Sequence, residues 1–222
     1  MTEPATQPTP RPSREEHLIE WYQRNRRVIG IAVAVLVVAG GVYWYRTKSA
    51  QLANEAADRA LNTALGSVQA GNQALAESDL QKVVARYGDT QSGVEAGMIL
   101  AQIQYGQGKY DAGLGVLQSL LTHSAAELDA TAIQSMIGDG QMQAGHPSAA
   151  AAAYQKAADA ANSAAARAFQ LSKAARAYLR AGDTATASGI WQKLVSDTAS
   201  QGVASEARVR LGEIQATPAT KG

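Results

Sequence analysis

Three histidines are the only imidazoles this chain offers for proton transfer or metal ligation. His17 lies ahead of a long apolar run. His123 and Glu127 stand four apart, the spacing that puts two ligands on one helical face, but the pattern supplies no third ligand. His146 directly follows a glycine, where a polar turn residue is expected. Gly106/Gly108, Gly113/Gly115 and Gly138/Gly140 form Gly-x-Gly pairs, the shape of a phosphate loop. No strand pattern precedes them and no Gly-Lys-Ser/Thr follows. Cysteine is absent, so thiolate catalysis, disulfides, zinc–thiolate sites and a lipidated cysteine are excluded. Serines and aspartates are plentiful, yet no motif sets a base beside a nucleophile. The residues therefore predict no enzyme, no cofactor and no metal site. Binding is the expectation that remains.

The elements that would carry a binding surface are easier to read. Val28 to Tyr45 is eighteen residues without a charge, nine of them Val, Ile or Leu. A helix of that length spans roughly 27 Å, close to the ~30 Å hydrocarbon core of a bilayer. Arg24, Arg26 and Arg27 bracket it on one side, and Arg46 and Lys48 on the other. Tyr43, Trp44 and Tyr45 form an aromatic belt at its end. The apolar run exceeds that of a cleaved signal peptide, and Lys48 spoils the small-residue site before Ala50. The expectation is an uncleaved signal anchor over residues 28–45. The basic bias places the N-terminus in the cytoplasm and the long side outside.

Residues 1–27 hold five Arg and four Glu, and residues 46–222 hold fifteen basic and fifteen acidic side chains. A neutral long segment without basic runs has no electrostatic footprint for nucleic acid. Aromatic residues make up 5% of the chain and alanine is abundant, which predicts an all-α domain of closely packed helices. Residues 1–12 carry four prolines and read as a disordered tail. Residues 13–27 read as a juxtamembrane amphipathic helix, opened by a capping box from Ser13 to Glu16.

The strongest signal lies beyond the anchor. Gly71, Gly108, Gly145 and Gly182 are spaced 37, 37 and 37 residues apart. Five residues after each is a small residue: Ala76, Gly113, Ala150, Ala187. Nine after is a large one: Leu80, Leu117, Tyr154, Trp191. Seven before is another small one: Ala64, Ala101, Gly138, Ala175. A fixed period in this range marks a solenoid of stacked units. Each glycine would sit in a tight turn between two antiparallel helices, where positive φ is needed. Small residues let the paired helices approach, and the large residue fills the space against the next pair. Longer inter-unit loops such as Arg86-Tyr87-Gly88-Asp89-Thr90 would carry the extra length. Ala204 to Ile214 fits one further helix that caps the stack, and residues 215–222 read as a loose tail.

This pattern resembles the tetratricopeptide repeat (TPR). The small–large–Gly–small–large order recurs at Leu100-Ala101, Tyr105, Gly108, Tyr110, Gly113 and Leu117, and again at Ala175, Tyr178, Gly182, Ala187 and Trp191. It departs from that family in its longer period and in lacking the family's Trp and closing Pro. The expected fold is all-α, an N-terminal transmembrane helix followed by a TPR-like α-solenoid over residues 46–214, with about four helix pairs and a C-terminal capping helix. With Trp21-Tyr22-Gln23-Arg24-Asn25 and the early anchor ending Tyr-Trp-Tyr-Arg, the whole resembles the YfgM-like ancillary subunits of the Sec translocon. These are single-span TPR proteins of the bacterial inner membrane. The resemblance implies a periplasmic scaffold with chaperone-like character, contacting the Sec translocon and periplasmic chaperones. Carrying over the family's groove positions gives Met98, Gln102 and Tyr105 in the second unit. The third gives Ser135, Asp139 and Met142, and the fourth gives Ser172, Arg176, Leu179 and Arg180. Such a mixture suits peptide segments, with the methionines as adaptable apolar contacts. Other readings are an envelope TPR protein of cell-wall synthesis or division, and a signalling component whose cytoplasmic tail binds a regulator.

Overall fold

The structure is a computed structural model that describes residues 14–196 and 200–216, with side chains described from Trp21 onward except Gln23. The expected tail at 1–12, residues 217–222 of the expected tail at 215–222, Ser13 of the expected capping box and the side chain of His17 lie outside the described residues. Every element among the described residues is helical. The chain divides into two compact units, Met1–Leu52 and Ala53–Gly222.

One helix, α1 (Arg14–Gln69), covers the expected juxtamembrane helix, the expected anchor and the first helix of the repeat domain without interruption. Among the described residues of the first unit nearly all of its large apolar side chains are exposed: Leu36 is 71% exposed, and Val28, Ile31, Val38, Trp44 and Tyr45 are also exposed. Within Arg24–Gln69 an 18-residue stretch of this helix is apolar enough to cross a membrane, with a mean hydropathy of 2.2, and none of those eighteen residues is buried. Burying Leu or Val is worth about 1.5–3 kcal/mol each, so this face is apolar without protein to cover it.

In the second unit the rest of α1 pairs with α2 (Gln73–Tyr87). There follow α3 (Gln91–Gly106) and α4 (Tyr110–Leu120), α5 (Ala130–Gln143) and α6 (Pro147–Asp159), and α7 (Ala164–Arg180) and α8 (Thr184–Val195). Helix α9 (Gln201–Ala216) closes the series against α7 and α8. From α2 onward each helix packs on the next in the chain, the nearest-neighbour pattern of a solenoid. The expected stack of helix pairs is present.

The turns explain the period. Gly71, Gly108, Gly145 and Gly182 have φ of 71°, 74°, 83° and 84°, and no other described residue has positive φ. A side chain there would meet the following carbonyl, which is why glycine holds these positions. Each turn closes its helix the same way. In the second, the Gly108 N–H donates to the Tyr105 carbonyl at 2.9 Å and the Lys109 N–H to the Gln104 carbonyl at 2.8 Å. This pair of bonds satisfies carbonyls the helix end leaves open. In the first and fourth turns the residue after the glycine also caps the next helix with its side chain: Asn72 Oδ1 accepts from Leu75 N–H at 3.2 Å, and Asp183 Oδ1 from Thr186 N–H at 3.0 Å. That bond holds the Asp183 carboxyl below the usual carboxylate range.

The small and large positions are the core. Ala64, Ala101, Ala175, Ala76, Ala150, Ala187, Leu80, Leu117 and Trp191 are all fully buried, and Tyr154 nearly so. Two boundaries differ from expectation. Helix α2 runs on through Tyr87, because Arg86 and Tyr87 keep its last turn, so only residues 88–90 form that connection. The longest connection instead lies at 121–129, where α4 is shortest, and contains a 3-10 turn over Ser124–Glu127. Helix α9 extends two residues past Ile214, into the expected tail.

Candidate partner-binding groove

The histidine spacing dissolves in the fold. His123 caps the 3-10 turn instead of sharing a helical face with Glu127, and its Nδ1 pairs with Asp89 Oδ1 at 2.6 Å. His146 Nδ1 lies 3.1 Å from Gln141 Oε1. Among the described residues no three ligating side chains come together.

Of the Gly-x-Gly pairs, Gly138/Gly140 and Gly113 have a packing role, whereas Gly106 and Gly115 border open space. A Cβ on Gly138 would stand 2.4 Å from the Tyr154 ring. One on Gly140 would stand 2.2 Å from the Tyr105 hydroxyl, and one on Gly113 2.5 Å from the Tyr105 ring. Glycine at these helical positions costs roughly 1 kcal/mol each relative to alanine. That cost is offset by seating two aromatic rings against the backbone, Tyr154 on α5 and Tyr105 on α4 and α5. Packing at this density leaves no room for even one methyl group.

Around these tyrosines two hollows open. The first, about 360 Å³, is lined by Gln102, Tyr105 and Gly106 of α3 and Met136, Asp139 and Gln143 of α5. The second, about 340 Å³, is lined by Met142 of α5, Tyr154 of α6, and Phe169, Lys173, Arg176, Ala177 and Arg180 of α7. Six of the ten expected groove residues line one or the other: Gln102, Tyr105, Asp139, Met142, Arg176 and Arg180. The remaining four face inward. Ser172 is fully buried, and its Oγ donates to the Phe169 carbonyl at 2.8 Å. Ser135 is buried and its Oγ accepts from Lys173 Nζ at 2.8 Å. Met98 packs on the core of the second unit, and Leu179 on that around Trp191. Ser172 and Ser135 are thus corrected from groove lining to interior supports. Helical phase is the reason, since one residue turns a side chain by about 100° and Lys173 takes the outward position.

Electrostatics divide the hollows. Tyr105 is 8% exposed, and its buried hydroxyl has no hydrogen-bond partner. Burial, with a further push from Asp139, raises its hydroxyl pKa to about 12. The Tyr154 hydroxyl instead donates to Asp139 Oδ1 at 2.6 Å. Burial raises its pKa first, and the bond to Asp139 raises it further. Lys173 Nζ stands 2.7 Å from Asp139 Oδ1 and 4.5 Å from the Tyr154 ring centroid, an ion pair and a cation–π contact at once. Arg176 Nε reaches Glu206 of α9 at 3.6 Å. Sequence reasoning missed Lys173, Tyr154 and Phe169 as groove residues. The readable signal was Phe169, Lys173, Arg176 and Arg180 at i, i+4, i+7 and i+11, one face of α7.

Comparison with known proteins bears on the same residues. Residues 56–173 match the family described as tetratricopeptide repeat-like domain. Among solved structures, the chain is similar to nearly identical TPR-like repeats from a Podosopora anserina protein described as a kinesin light chain. The identity is 16% over 71% of this chain and 84% of that one, with a TM-score of 0.54. A variant of that protein matches at 18% identity over 71% of this chain and 89% of its own, with a TM-score of 0.52. At these identities the likeness is one of fold. No curated protein matches the sequence.

Proposed function

We propose that this chain, which belongs to the tetratricopeptide repeat-like domain family, is a membrane-anchored scaffold that assists protein secretion at the Sec translocon by binding proteins. Repeat domains of this family suggest a protein–protein interaction scaffold. The observation that carries the finer reading is the joining of two parts in one chain. A repeat domain with an open groove follows directly on an exposed apolar stretch with arginines on both flanks. In this reading residues 28–45 anchor the protein in the bacterial inner membrane with the N-terminus inside. The repeat domain then works on the periplasmic side, beside the translocon and its chaperones, and has no catalytic role.

Two experiments test the two parts. Leu36→Arg exchanges a favourable for an unfavourable side chain near the middle of the span, a change of about 3 kcal/mol in insertion. The variant is expected in the carbonate-soluble fraction, and full membrane integration would place the anchor elsewhere. Affinity purification of the wild-type chain from membranes in mild detergent, read by mass spectrometry, should enrich translocon subunits and a periplasmic chaperone. Enrichment of cell-wall or division proteins without the translocon would overturn the secretion reading.

A further inference from the structure

Helix α7 carries Arg167, Lys173, Arg176 and Arg180 and no acidic residue. Three of these cations share one face with Phe169, the only phenylalanine in the chain, which is 51% exposed. A lone exposed aromatic is ordinary, but this one lines a hollow with Met142 and the three cations. The helix dipole favours a cation in the last turn and accounts for Arg180 on its own. It does not account for Lys173 and Arg176, two turns and one turn further back. Internal carboxylates answer only part of the charge: Asp139 holds Lys173 and Glu206 lies 3.6 Å from Arg176. Among the described residues no carboxylate pairs with Arg180. Glu206 is itself shared with Arg210 at 3.9 Å.

We propose that this hollow between α5 and α7 receives an acidic peptide segment bearing a bulky apolar side chain. The segment's carboxylates would pair with Arg180 and Arg176, whose planar guanidinium groups suit bidentate contacts. The apolar residue would lie between Phe169 and Met142, an aromatic wall and a side chain that adapts its shape. Asp139 sets a limit on the site. It already neutralises Lys173, so the acidic residues gather toward the Arg180 end and the segment's other end is uncharged. The inference rests on the scaffold reading and names the chemistry of the bound partner.

The test uses the full chain in a zwitterionic detergent and three fluorescein-labelled peptides. One alternates Glu and Leu, one replaces Glu by Lys, and one replaces Leu by Ser. Anisotropy is expected to show the Glu/Leu peptide binding at least about tenfold more tightly than either of the others. Raising the salt should weaken it. Arg180→Glu should lower its affinity about tenfold, Arg180→Lys much less, and Phe169→Ala should reduce it while leaving the salt dependence in place. These side chains are exposed, and an unchanged melting temperature shows that each variant folds. Equal binding of the Glu/Leu and Lys/Leu peptides would overturn the proposal, as would an unaffected Arg180→Glu variant. So would displacement by phosphatidylglycerol vesicles together with full binding of the Glu/Ser peptide, which would make the occupant an anionic lipid surface. Failure here is separable from failure of the scaffold reading. Wild-type and Arg180→Glu chains that purify the same membrane partners, without a preference for the acidic peptide, sink only this inference. A wild-type chain that purifies no partner yet keeps that preference sinks only the scaffold.

Discussion

Tyr105 and Tyr154 both press a ring against helical glycines, Tyr105 against α4 and α5 and Tyr154 against α5, and the two seats end differently at the hydroxyl. At Tyr105 the ring abuts Gly113 and Gly140, and the buried hydroxyl finds no partner. At Tyr154 the ring abuts Gly138, and the hydroxyl is bonded to Asp139 beneath Lys173. The first hollow is therefore held by shape alone, and its polar atom is a liability of about 1–3 kcal/mol before relaxation. The second is held by shape and by a charged network that spans three helices. Asp139 stands between them, lining the first hollow while bonding across the second. One α-helix thus offers an apolar and a polar end to whatever lies in the groove.

The largest expected effect bears on the glycine seats. Gly138→Ala gains roughly 1 kcal/mol of helix propensity. It also puts a carbon 2.4 Å from the Tyr154 ring, and overpacking of this kind typically costs 1–3 kcal/mol. The net effect should be a loss of up to about 2 kcal/mol, read by chemical denaturation. The first two units pair alanine with leucine at the corresponding positions, Ala64 with Leu80 and Ala101 with Leu117. In a Tyr154→Leu background the same Gly138→Ala change should therefore stabilise, by about 1 kcal/mol. A substitution with the same sign in both backgrounds would show that Gly138 is not there for the tyrosine.

Next in size are the turn glycines. A Cβ on Gly108 meets nothing beyond the local backbone, so the expected loss of about 1–2 kcal/mol for Gly108→Ala is purely a matter of φ. Unchanged stability would mean that the turn can rearrange, and the fixed period would then need another cause. The contrast with Gly138 is useful, because replacing Tyr154 should rescue one glycine variant and leave the other as it was.

Smaller again is the split between the hydroxyls. Tyr154→Phe removes a bond to a carboxylate, and Asp139 keeps Lys173, so the loss should be about 1 kcal/mol. Tyr105→Phe removes a hydroxyl without a partner and should be neutral or slightly stabilising. Equal losses at both sites would break the distinction between the hollows.

Much of this architecture could be read directly because each feature answers to a local demand. Only glycine sits easily at positive φ, so four turns announced themselves at fixed spacing. The small and large positions followed from how closely paired helices approach. The groove was half legible. Carrying positions over from a repeat family needs helical phase correct to one residue, and in α7 that error exchanged the half-buried, groove-lining Lys173 for the fully buried Ser172. Gly138 was legible as a small position of the repeat, but the rings that press on Gly138 and Gly140 were not, for another reason. Their partners, Tyr154 and Tyr105, lie on other helices, and nothing in a Gly-x-Gly spacing names a ring that will fill it.

The finest test of the two seats is alkaline titration. An unfolded tyrosine ionises near pH 10, whereas Tyr105 in the folded chain is held to about 12, by burial first and Asp139 second. Between those values the unfolded chain has released a proton that the folded chain retains. The stabilisation from Tyr105 is therefore complete below about pH 10 and is lost as the pH rises through about 12. Tyr154 shifts in the same direction, with its bond to Asp139 adding to burial. Melting temperatures followed upward from about pH 9 should fall for the wild-type chain. They should fall less steeply for Tyr105→Phe or Tyr154→Phe, and least for the double variant. At neutral pH this contribution does not change with pH, so the measurement isolates burial of the phenols from the hydrogen bond that only one of them makes. If Tyr105→Phe leaves the alkaline slope unaltered, its hydroxyl is open to water and the first hollow is wetter than its packing implies.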